Sequence, residues 1–586
     1  MRRSPFRQKS PIAISYVDAL RPSPSKGEAG WRMGFSKATH PHLNPSLEGE
    51  DFKAVPMRFA KSRHASILSI GRFLPLLLTL SFCAITAHAA TPSPKQNADL
   101  DRLVDAVVAY YHLPGLAVGV IDHGKIVYTR EVGKLASGKP IDNDTLFEIA
   151  SNTKAMTSTL LARLVQQGKL RWDDPVTKYL PTFRMYDPWV TKNMQVGDLL
   201  VHHSGLSEGA GDLMLWPTPN HFTPADVIAG LQYIKPAYSF RAGYAYDNTL
   251  YIVAGQVAAA AGGAPYPTLM RREIFQPLGM TRCQIGTWNR DDVGNVADPH
   301  LIENGHFVAV HHRNAIVHET TMDSAGGVRC SIHDMLTWAM NWLAPTPQQL
   351  QWLTPKQRHA EWTPYTPMPI SRLRHEWDGT LFWGYGYGWR IGDVDGEMTV
   401  SHTGTLSGMY SALTLLPFKQ SGYVFLINAE ADNARSVLNE VLTKHFTAPD
   451  KARSVQSYAD ELKHADEQRR ISRVPDTSSR KPATPVDLKN ELGVWRDPWF
   501  GEVRICARGD KVQFASKKSP ELTGEVMRVG DKYLVHWFHG DAEAWLRFPS
   551  QAGGTLHMAK VDPDADFSYD YQDLAFTREH GCDPTP

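Results

Sequence analysis

A serine and a lysine stand three residues apart in Ser151-Asn152-Thr153-Lys154. This spacing puts both side chains on one face of a helix. A serine hydroxyl becomes nucleophilic when a base takes its proton, and a lysine whose pKa is lowered by burial can be that base. At a helix start, Ser151 would also lie beside backbone N–H groups that stabilise an oxyanion. The tetrad therefore predicts nucleophilic chemistry at Ser151.

The sequence around Ser151 favours this interpretation over the alternative of a capping serine beside a surface lysine. The apolar segment LFEIA precedes Ser151, and the apolar spacing of the following residues predicts an amphipathic helix over 152–167 that ends at Gly168. We therefore expect the serine to lie at the end of a buried segment, where a helix begins.

A second motif, Tyr246-Asp247-Asn248, carries a phenol and an amide. A phenol beside a lysine can pass a proton between nucleophile and leaving group, and an amide side chain can bind a substrate amide. By itself the motif is uninformative, because an aromatic residue before a helix usually belongs to the core.

A third motif, His402-Thr403-Gly404, lies in a predicted strand along which a substrate backbone could extend. We predict that His402 and Thr403 bind a substrate carboxylate or polarise the phenol. The N–H of Thr405 would complete an oxyanion hole with that of Ser151. A histidine on a strand is more often a structural residue.

In this chain order the three motifs resemble those of the penicillin-recognising serine hydrolases, on the side of the class C β-lactamases, D-peptidases and esterases. The stretches LLVHHSGL at 199–206, PLGMTRC at 277–283 and SAGGVRCSIHDM at 324–335 match as well, and the resemblance covers 97–447.

The resemblance implies a role for each motif residue in an acyl-enzyme reaction. It implies that Ser151 is the acylated nucleophile and that Lys154 and Tyr246 are the base pair. The substrate would then be contacted by Asn248 and by the strand residues His402, Thr403, Gly404 and Thr405.

One position departs from the class C pattern, which has lysine where this chain has His402. A permanent cation is thereby replaced by a group that is mostly neutral near pH 7, with an unperturbed pKa of about 6.5. Histidine at this position is similar to the D-peptidases and esterases, so we expect acylation by β-lactams but inefficient turnover.

The order of the helices and strands that position these residues predicts an α+β fold. In this fold an antiparallel sheet is flanked by helices and carries an inserted helical lobe. The predicted elements are a helix over 99–112, two strands around Asp122-His123-Gly124, helices over 152–167 and near 248–262 and 331–343, strands near 388–392, 410–417 and 422–428, and a helix over 431–446.

The remaining sequence predicts a linker and a second domain. Residues 448–485 run from a charged stretch into a segment rich in proline and serine, which is typical of a linker. Seven alternating segments between 486 and 580, from EVRICA to FSYDYQDLAFT, predict a small all-β, barrel-like domain that resembles a lipocalin-like appendage. Arg508-Gly509-Asp510 fits a hairpin turn better than an adhesive site.

The N-terminal segment predicts secretion. Residues 57–89 combine basic residues, a short apolar run from Phe73 and the sequence Ala87-His88-Ala89, which is typical of a signal peptide cleaved near Ala89. The apolar run is too short for a membrane anchor, and Phe82 before Cys83 argues against a lipoprotein site. Residues 1–56 form a doubtful extension, and we expect translation to start at Met57.

The charge composition and the spacing of histidine residues argue against nucleic-acid-binding and metal-binding proteins. The chain has 586 residues with 62 Lys and Arg against 61 Asp and Glu, so it has no basic field for nucleic acid. The pairs His202-His203 and His311-His312 lack a completing ligand, and we expect neither metal nor cofactor. The cysteine pairs Cys283 with Cys330 and Cys506 with Cys582 could each form a disulfide bond in an oxidising compartment, with the second pair the stronger candidate.

We therefore expect a periplasmic or secreted serine hydrolase that acts on amide or ester bonds of D-amino-acid peptides or muropeptides and binds or slowly hydrolyses β-lactams. Two alternatives stay open. The first is a catalytically weak ligand-binding or penicillin-binding protein on the same scaffold. The second is an oligomer, formed through the β-domain, that encloses the cleft as a compartmented peptidase.

Overall fold

The computed structural model describes residues 94–135, 137–311, 314–540, 542–551 and 553–582. The predicted extension over 1–56 and the predicted signal peptide over 57–89 lie outside the described residues, as does His312. The described residues belong to one compact unit.

The helix-and-sheet region, residues 97–447, is built on an antiparallel eight-stranded sheet in the order β2-β1-β14-β13-β12-β11-β10-β9, with three two-stranded ladders beside it. Its strands are β1 Gly115–Asp122, β2 Lys125–Gly133, β3 Phe147–Glu148, β4 Trp288–Asn289, β5 His300–Glu303, β6 His306–Ala309, β7 Ile316–Val317, β8 Arg329–Cys330, β9 Thr366–Pro367, β10 Trp383–Tyr385, β11 Arg390–Val394, β12 Glu397–Leu406, β13 Met409–Leu416 and β14 Ser421–Ile427.

The helices cover both faces of this sheet. They are α1 Pro94–Tyr111, α2 Thr153–Gln166, α3 Pro188–Asn193, α4 Pro224–Gly230, α5 Thr249–Gly262, α6 Tyr266–Met270, α7 Gln276–Leu278, α8 Arg290–Val293, α9 Asp323–Gly326, α10 Ile332–Leu343, α11 Pro347–Trp352, α12 Pro355–Glu361, α13 Arg372–Asp378, α14 Asp432–Thr447 and α15 Val455–Arg473. A π-helical turn, Arg271–Phe275, joins α6 to α7. Short 3-10 helices include Ala150–Asn152, Asp212–Met214 and Tyr571–Asp573.

The central strands are buried on both faces, which explains why they are almost continuously apolar. Every residue of β13 and β14 is buried. Alternate residues of these strands pack either against α1, α14 and α15 or against α10 and the helical lobe. Because β1 pairs with β14, the two ends of the helix-and-sheet region meet in the middle of the sheet. The predicted α+β fold with an inserted helical lobe is confirmed.

The prediction of a linker over 448–485 is wrong in part, because α15 fills Val455–Arg473. This helix is strongly charged, but Val455, Tyr458, Ala459 and Leu462 form a buried stripe in the core shared with α1 and α14. One apolar stripe on a long charged helix is enough for docking, and charge content alone concealed it.

The β-domain, residues 486–580, is a closed eight-stranded barrel in which β19 pairs with both β18 and β20, and β15 adds to β19 at its edge. The strands are β15 Lys481–Pro482, β16 Gly493–Asp497, β17 Gly501–Arg508, β18 Lys511–Ser516, β19 Thr523–Val529, β20 Lys532–Trp537, β21 Ala544–Arg547, β22 Leu556–Lys560 and β23 Ala575–His580. The predicted barrel-like domain is confirmed.

One predicted barrel strand is wrong in position. FSYDYQDLAFT was expected to be a strand, but residues 561–574 form a loop with a 3-10 turn at Tyr571–Asp573, and β23 begins only at Ala575. Phe567, Asp570 and Asp573 of this loop contact the helix-and-sheet region, and Tyr571 stacks on Trp537 inside the barrel. These contacts bury the loop in the absence of strand pairing.

Both possible disulfide bonds are formed. Cys283 bonds to Cys330, and Cys506 bonds to Cys582 with 5.9 Å between their Cα atoms. Among the described residues, no helix combines the length and apolarity needed to cross a bilayer.

Candidate active site

Ser151 lies in the 3-10 turn Ala150–Asn152 that leads into α2. Ala150 has φ of 49°, in the left-handed region that L-residues rarely adopt, and such strain is concentrated at functional sites. β13 holds the turn, because the Ser411 hydroxyl donates to the Ile149 carbonyl at 2.7 Å and the Asn152 amide donates to the Ser411 oxygen at 2.8 Å. The predicted helix start at the serine is confirmed.

Lys154 is fully buried in α2, one turn after Ser151. Its Nζ lies 3.1 Å from the Ser151 hydroxyl oxygen, 2.7 Å from Asn248 Oδ1 and 3.0 Å from the carbonyl oxygen of Ala325. A neutral amine has two N–H bonds and one lone pair. Because Asn248 Oδ1 and the Ala325 carbonyl can only accept, they use both N–H bonds and leave the lone pair directed at Ser151.

The pKa of Lys154 makes the neutral amine accessible near pH 7. Burial lowers the pKa of Lys154 to about 7, although the carboxylate of Asp212 opposes the shift. Burial raises the pKa of Tyr246, against a smaller lowering from its hydrogen bond with the Ser151 side chain. Tyr246 is therefore a neutral phenol near pH 7, and of the two candidate bases Lys154 is the one that can accept the serine proton.

Tyr246 and Asn248 lie in the loop that enters α5, and both are buried. The Tyr246 ring lies 4.8 Å from Lys154 Nζ. Asn248 uses Oδ1 for Lys154 and donates from Nδ2 to Asp212 Oδ2 at 2.7 Å. The observed contacts of Asn248 thus orient the lysine, and its predicted contact with a substrate amide stays a prediction.

The strand side of the site is formed by β12, which lies directly against the serine turn. At Gly404 a Cβ atom would lie 2.2 Å from the Ile149 carbonyl oxygen and 3.0 Å from the Ala150 Cβ atom. No side chain fits at that distance, so this glycine is required for the strand to approach the nucleophile.

The His402 side chain lies on the buried face of β12, the same face as Gly404, and its predicted contact with a substrate carboxylate stays a prediction. Its side chain is fully buried, with Nε2 2.8 Å from the Tyr385 hydroxyl and Nδ1 2.7 Å from the Thr403 carbonyl oxygen. A carbonyl only accepts, so Nδ1 carries the proton and Nε2 accepts from Tyr385. Burial holds the pKa of His402 well below 6.5, which keeps its side chain neutral near pH 7.

Arg390 supplies the cation that the sequence analysis found missing. From β11 its Nη1 donates to the Thr403 hydroxyl oxygen at 2.8 Å, and it also shares a hydrogen bond with Tyr244. A guanidinium stays protonated at any relevant pH and matches a carboxylate with two N–H donors. Arg390 was missed in the segment GWRIG, where the available signal was a charge within an otherwise apolar strand.

Thr403 and Thr405 lie on the more exposed side of β12, as the alternation along the strand requires. The Thr405 hydroxyl accepts from Arg435, and its backbone is paired opposite Tyr410 in β13. The oxyanion hole from the N–H groups of Thr405 and Ser151 stays a prediction. In the part of the chain that the structure describes, no group of three or more His, Cys, Asp or Glu side chains could hold a metal ion.

A family model described as Beta-lactamase matches residues 100–445, more than half of the chain. The chain belongs to the beta-lactamase family of serine hydrolases. The D-alanyl-D-alanine-carboxypeptidase/endopeptidase AmpH of Escherichia coli is 31% identical to this family member over 219 residues, covering 35% of this chain and 55% of AmpH. The unguisins hydrolase ungD' of Aspergillus campestris is 24% identical over 430 residues, covering 70% of this chain and 77% of that protein.

A solved structure shares the fold of this family member. The octameric penicillin-binding protein homologue from Pyrococcus abyssi aligns with a TM-score of 0.53 at 17% identity, covering 82% of this chain and 99% of that chain. The resemblance drawn from the three sequence motifs is confirmed at the level of family and fold.

Proposed function

We propose that this chain is a secreted serine hydrolase that forms an acyl-enzyme at Ser151 on amide or ester bonds of D-amino-acid peptides or muropeptides. The observation that carries the proposal is the geometry at Lys154, where two acceptors occupy both N–H bonds of the neutral amine and its lone pair is directed at the serine hydroxyl, 3.1 Å away. The catalytic residues are Ser151, Lys154 and Tyr246.

The reaction has two steps. Ser151 Oγ attacks the substrate carbonyl while its proton passes to Lys154. The bond to the leaving group breaks as Tyr246 donates its proton to that group and takes up the proton held by Lys154. Water then attacks the ester, its proton passes to the neutral Lys154 and from there to Ser151 Oγ, which leaves as the restored hydroxyl. N–H groups of Ser151 and Thr405 would stabilise the oxyanion in both steps.

Arg390 and Thr403 support a substrate with a free carboxylate beside the scissile bond. A guanidinium and a hydroxyl that already share a hydrogen bond, at 2.8 Å, are preorganised to bind such a group. A peptide with a C-terminal D-residue presents this carboxylate, and AmpH is named as a D-alanyl-D-alanine-carboxypeptidase. β-Lactams with the same carboxylate would be bound or slowly hydrolysed.

Secretion is part of the proposal and is supported by the two disulfide bonds, since these persist in oxidising compartments. N-terminal sequencing of the mature protein should begin near Ala90. An intact start upstream of Met57 in the secreted form would contradict this part.

Covalent labelling tests the proposal. A fluorescent fluorophosphonate and a fluorescent penicillin should label the wild type and the control variant Ser137→Ala, which changes an exposed serine, and should fail to label Ser151→Ala. Equal labelling of Ser151→Ala would refute the assignment. A panel of D- and L-peptides, esters and β-lactams then ranks the substrates. Labelling without turnover on any of them would favour a penicillin-binding or ligand-binding protein on this scaffold.

The β-domain could also drive assembly into an oligomer that encloses the cleft. Light scattering of the full chain on a size-exclusion column gives the mass directly. A monomer would exclude the compartmented form and leave the chemistry unaffected.

A further inference from the structure

The loop over 561–574 of the β-domain reaches the active site of the helix-and-sheet region. Phe567 lies edge-on to Tyr246 with 5.7 Å between ring centroids. Its backbone lies so close to Gly209 that a Cβ atom there would be 2.5 Å from the Phe567 carbonyl oxygen. The sequence predicted a strand in this segment, but none forms there. The contacts with the helix-and-sheet region therefore explain the burial of the loop.

The same loop holds the turn that carries Asp212. The carboxylate of Asp570 accepts from the backbone N–H of Gly211 at 2.6 Å and from that of Leu213 at 3.1 Å, on either side of Asp212. Ser568 donates its hydroxyl to Asp212 Oδ2 at 3.0 Å. Two side chains of the β-domain thus fix both the backbone and the carboxyl group of Asp212.

From Asp212 a chain of hydrogen bonds leads to the nucleophile. Asp212 Oδ2 accepts from Asn248 Nδ2, Asn248 Oδ1 accepts from Lys154 Nζ, and Lys154 Nζ contacts the Ser151 hydroxyl. An amide side chain can turn by 180° and exchange its donor and acceptor. A carboxylate can only accept, so in its ionised form Asp212 holds the Asn248 oxygen toward Lys154.

Asp212 also acts on the charge of the lysine. It is fully buried, and burial raises its pKa well above the usual value, while the hydrogen bonds from Asn248 and Ser568 oppose that rise by stabilising the carboxylate. The negative charge of that carboxylate raises the pKa of Lys154.

We propose that Asp212 is a positioning residue for Lys154, and that the β-domain completes this position through Ser568 and Asp570. The inference rests on the proposed function of Lys154 as the base. The β-domain is accordingly part of the active site in addition to being an appendage to it.

Removing the Ser568 hydroxyl tests this link without detaching the β-domain. The two domains are also joined at a separate place, where Lys518 pairs with Asp226 at 2.6 Å and Phe500 lies 5.7 Å from Phe222 between ring centroids. Ser568→Ala therefore changes one hydrogen bond at the site and leaves that contact in place.

The variants leave unchanged the other titratable or charged groups that lie near Lys154 or Asp212. The titratable or charged groups are Tyr246, Tyr251, Arg390, His202, His402, Asp247, Asp570 and Asp573. A change in the pH profile of Ser568→Ala is then assigned to Asp212 and Lys154.

The experiment measures the acylation rate with a fluorophosphonate probe between pH 5 and 9 for full-length wild type, Ser568→Ala, Asp212→Asn and the control Ser550→Ala, an exposed serine of the same domain. We expect acylation by Ser568→Ala to be about tenfold slower than that by wild type. The acid limb of its pH–rate profile should lie about half a pH unit lower. When Asp212 carries less negative charge, the protonated form of Lys154 is less stable and the pKa of Lys154 falls. Asp212→Asn should therefore shift the acid limb further toward low pH.

Each outcome decides between the alternatives. Rates and limbs equal to wild type in both variants would overturn the inference. So would a uniform loss with an unmoved limb and a lower Tm, since that is a structural effect alone. If Asp212→Asn does not fold, Ser568→Ala decides by itself. Failure of the wild type to label at Ser151 would refute the proposed function first, and the inference with it.

Discussion

On the helix wall of the cleft, formed by Ser151, Lys154 and Asn248, the nucleophile and its base are three residues apart and meet at 3.1 Å. On the strand wall, formed by Arg390, Thr403 and Gly404, the guanidinium and the hydroxyl are 13 residues apart and meet at 2.8 Å. One pair is joined by a single helical turn, and the other is joined because β11 and β12 are paired.

This difference separates the chemical step from recognition of the substrate. Helical spacing fixes the base relative to the nucleophile within one element, so the sequence motif carries the geometry. On the strand wall His402 lies on the buried face and Thr403 on the more exposed face, where Arg390 of the neighbouring strand brings a cation to the Thr403 hydroxyl. Four variants or conditions test this division, from the largest expected effect to the smallest.

Lys154→Met removes the base from the helix wall. We expect acylation to fall by about 10³-fold, since general-base catalysis contributes on this order, while binding of substrate changes little. Stopped-flow acylation separates the two effects. The exposed Lys169→Met at the end of the same helical segment is the control. A loss below tenfold would show that Tyr246 serves as the base.

Arg390→Gln removes the cation from the strand wall. We expect kcat/KM to fall by about 30- to 100-fold for substrates with a carboxylate, because a charged hydrogen bond of about 2–3 kcal/mol is lost. A neutral ester, assayed at pH 9 where Lys154 is neutral in both proteins, should react at the wild-type rate. His402→Asn is the contrasting variant and should lower Tm without this selectivity. Equal losses on both substrates by Arg390→Gln would break the assignment of recognition to this wall.

Gly404→Ala tests the contact between the two walls. The added methyl group would lie against the backbone of Ile149, which cannot turn aside, so we expect a loss of about 1–3 kcal/mol in unfolding free energy. Chemical denaturation measures it, and Ser401→Ala on the same strand is the control. An unchanged stability would show that β12 and the serine turn can separate.

The pH dependence of the acylation rate tests the helix wall separately from the strand wall. Lys154 must be neutral to act, and its pKa is lowered to about 7, so acylation should fall about tenfold per unit as pH decreases below 7. His402 has a pKa well below 6.5 and should add no step near 6.5. Burial raises the pKa of Asp247 to about 7 as well. The limb should therefore persist in Asp247→Asn and vanish only with Lys154.

Some elements of the fold could be predicted from the sequence and others could not. Strand and helix periodicity predicted α2, α5, α10 and the central strands, because each has an apolar pattern of its own length. The same reasoning failed at α15, whose buried stripe is narrow, and at 567–574, where Phe567 packs against a different domain. In both places the apolar residues are few, and the surface that buries them is distant in the sequence.

By itself the sequence predicted Ser151, Lys154 and Tyr246 as the nucleophile, the base and the phenol, since a three-residue spacing on a helix and a motif at a helix entrance are local properties. Tertiary structure alone decided which strand residue is charged, that His402 is buried and neutral, and that Asp212 is held by Ser568 and Asp570 of the β-domain. Hydrogen bonds over hundreds of residues depend on sheet pairing and domain packing. Local composition carries no signal of the partner that will meet a buried polar group.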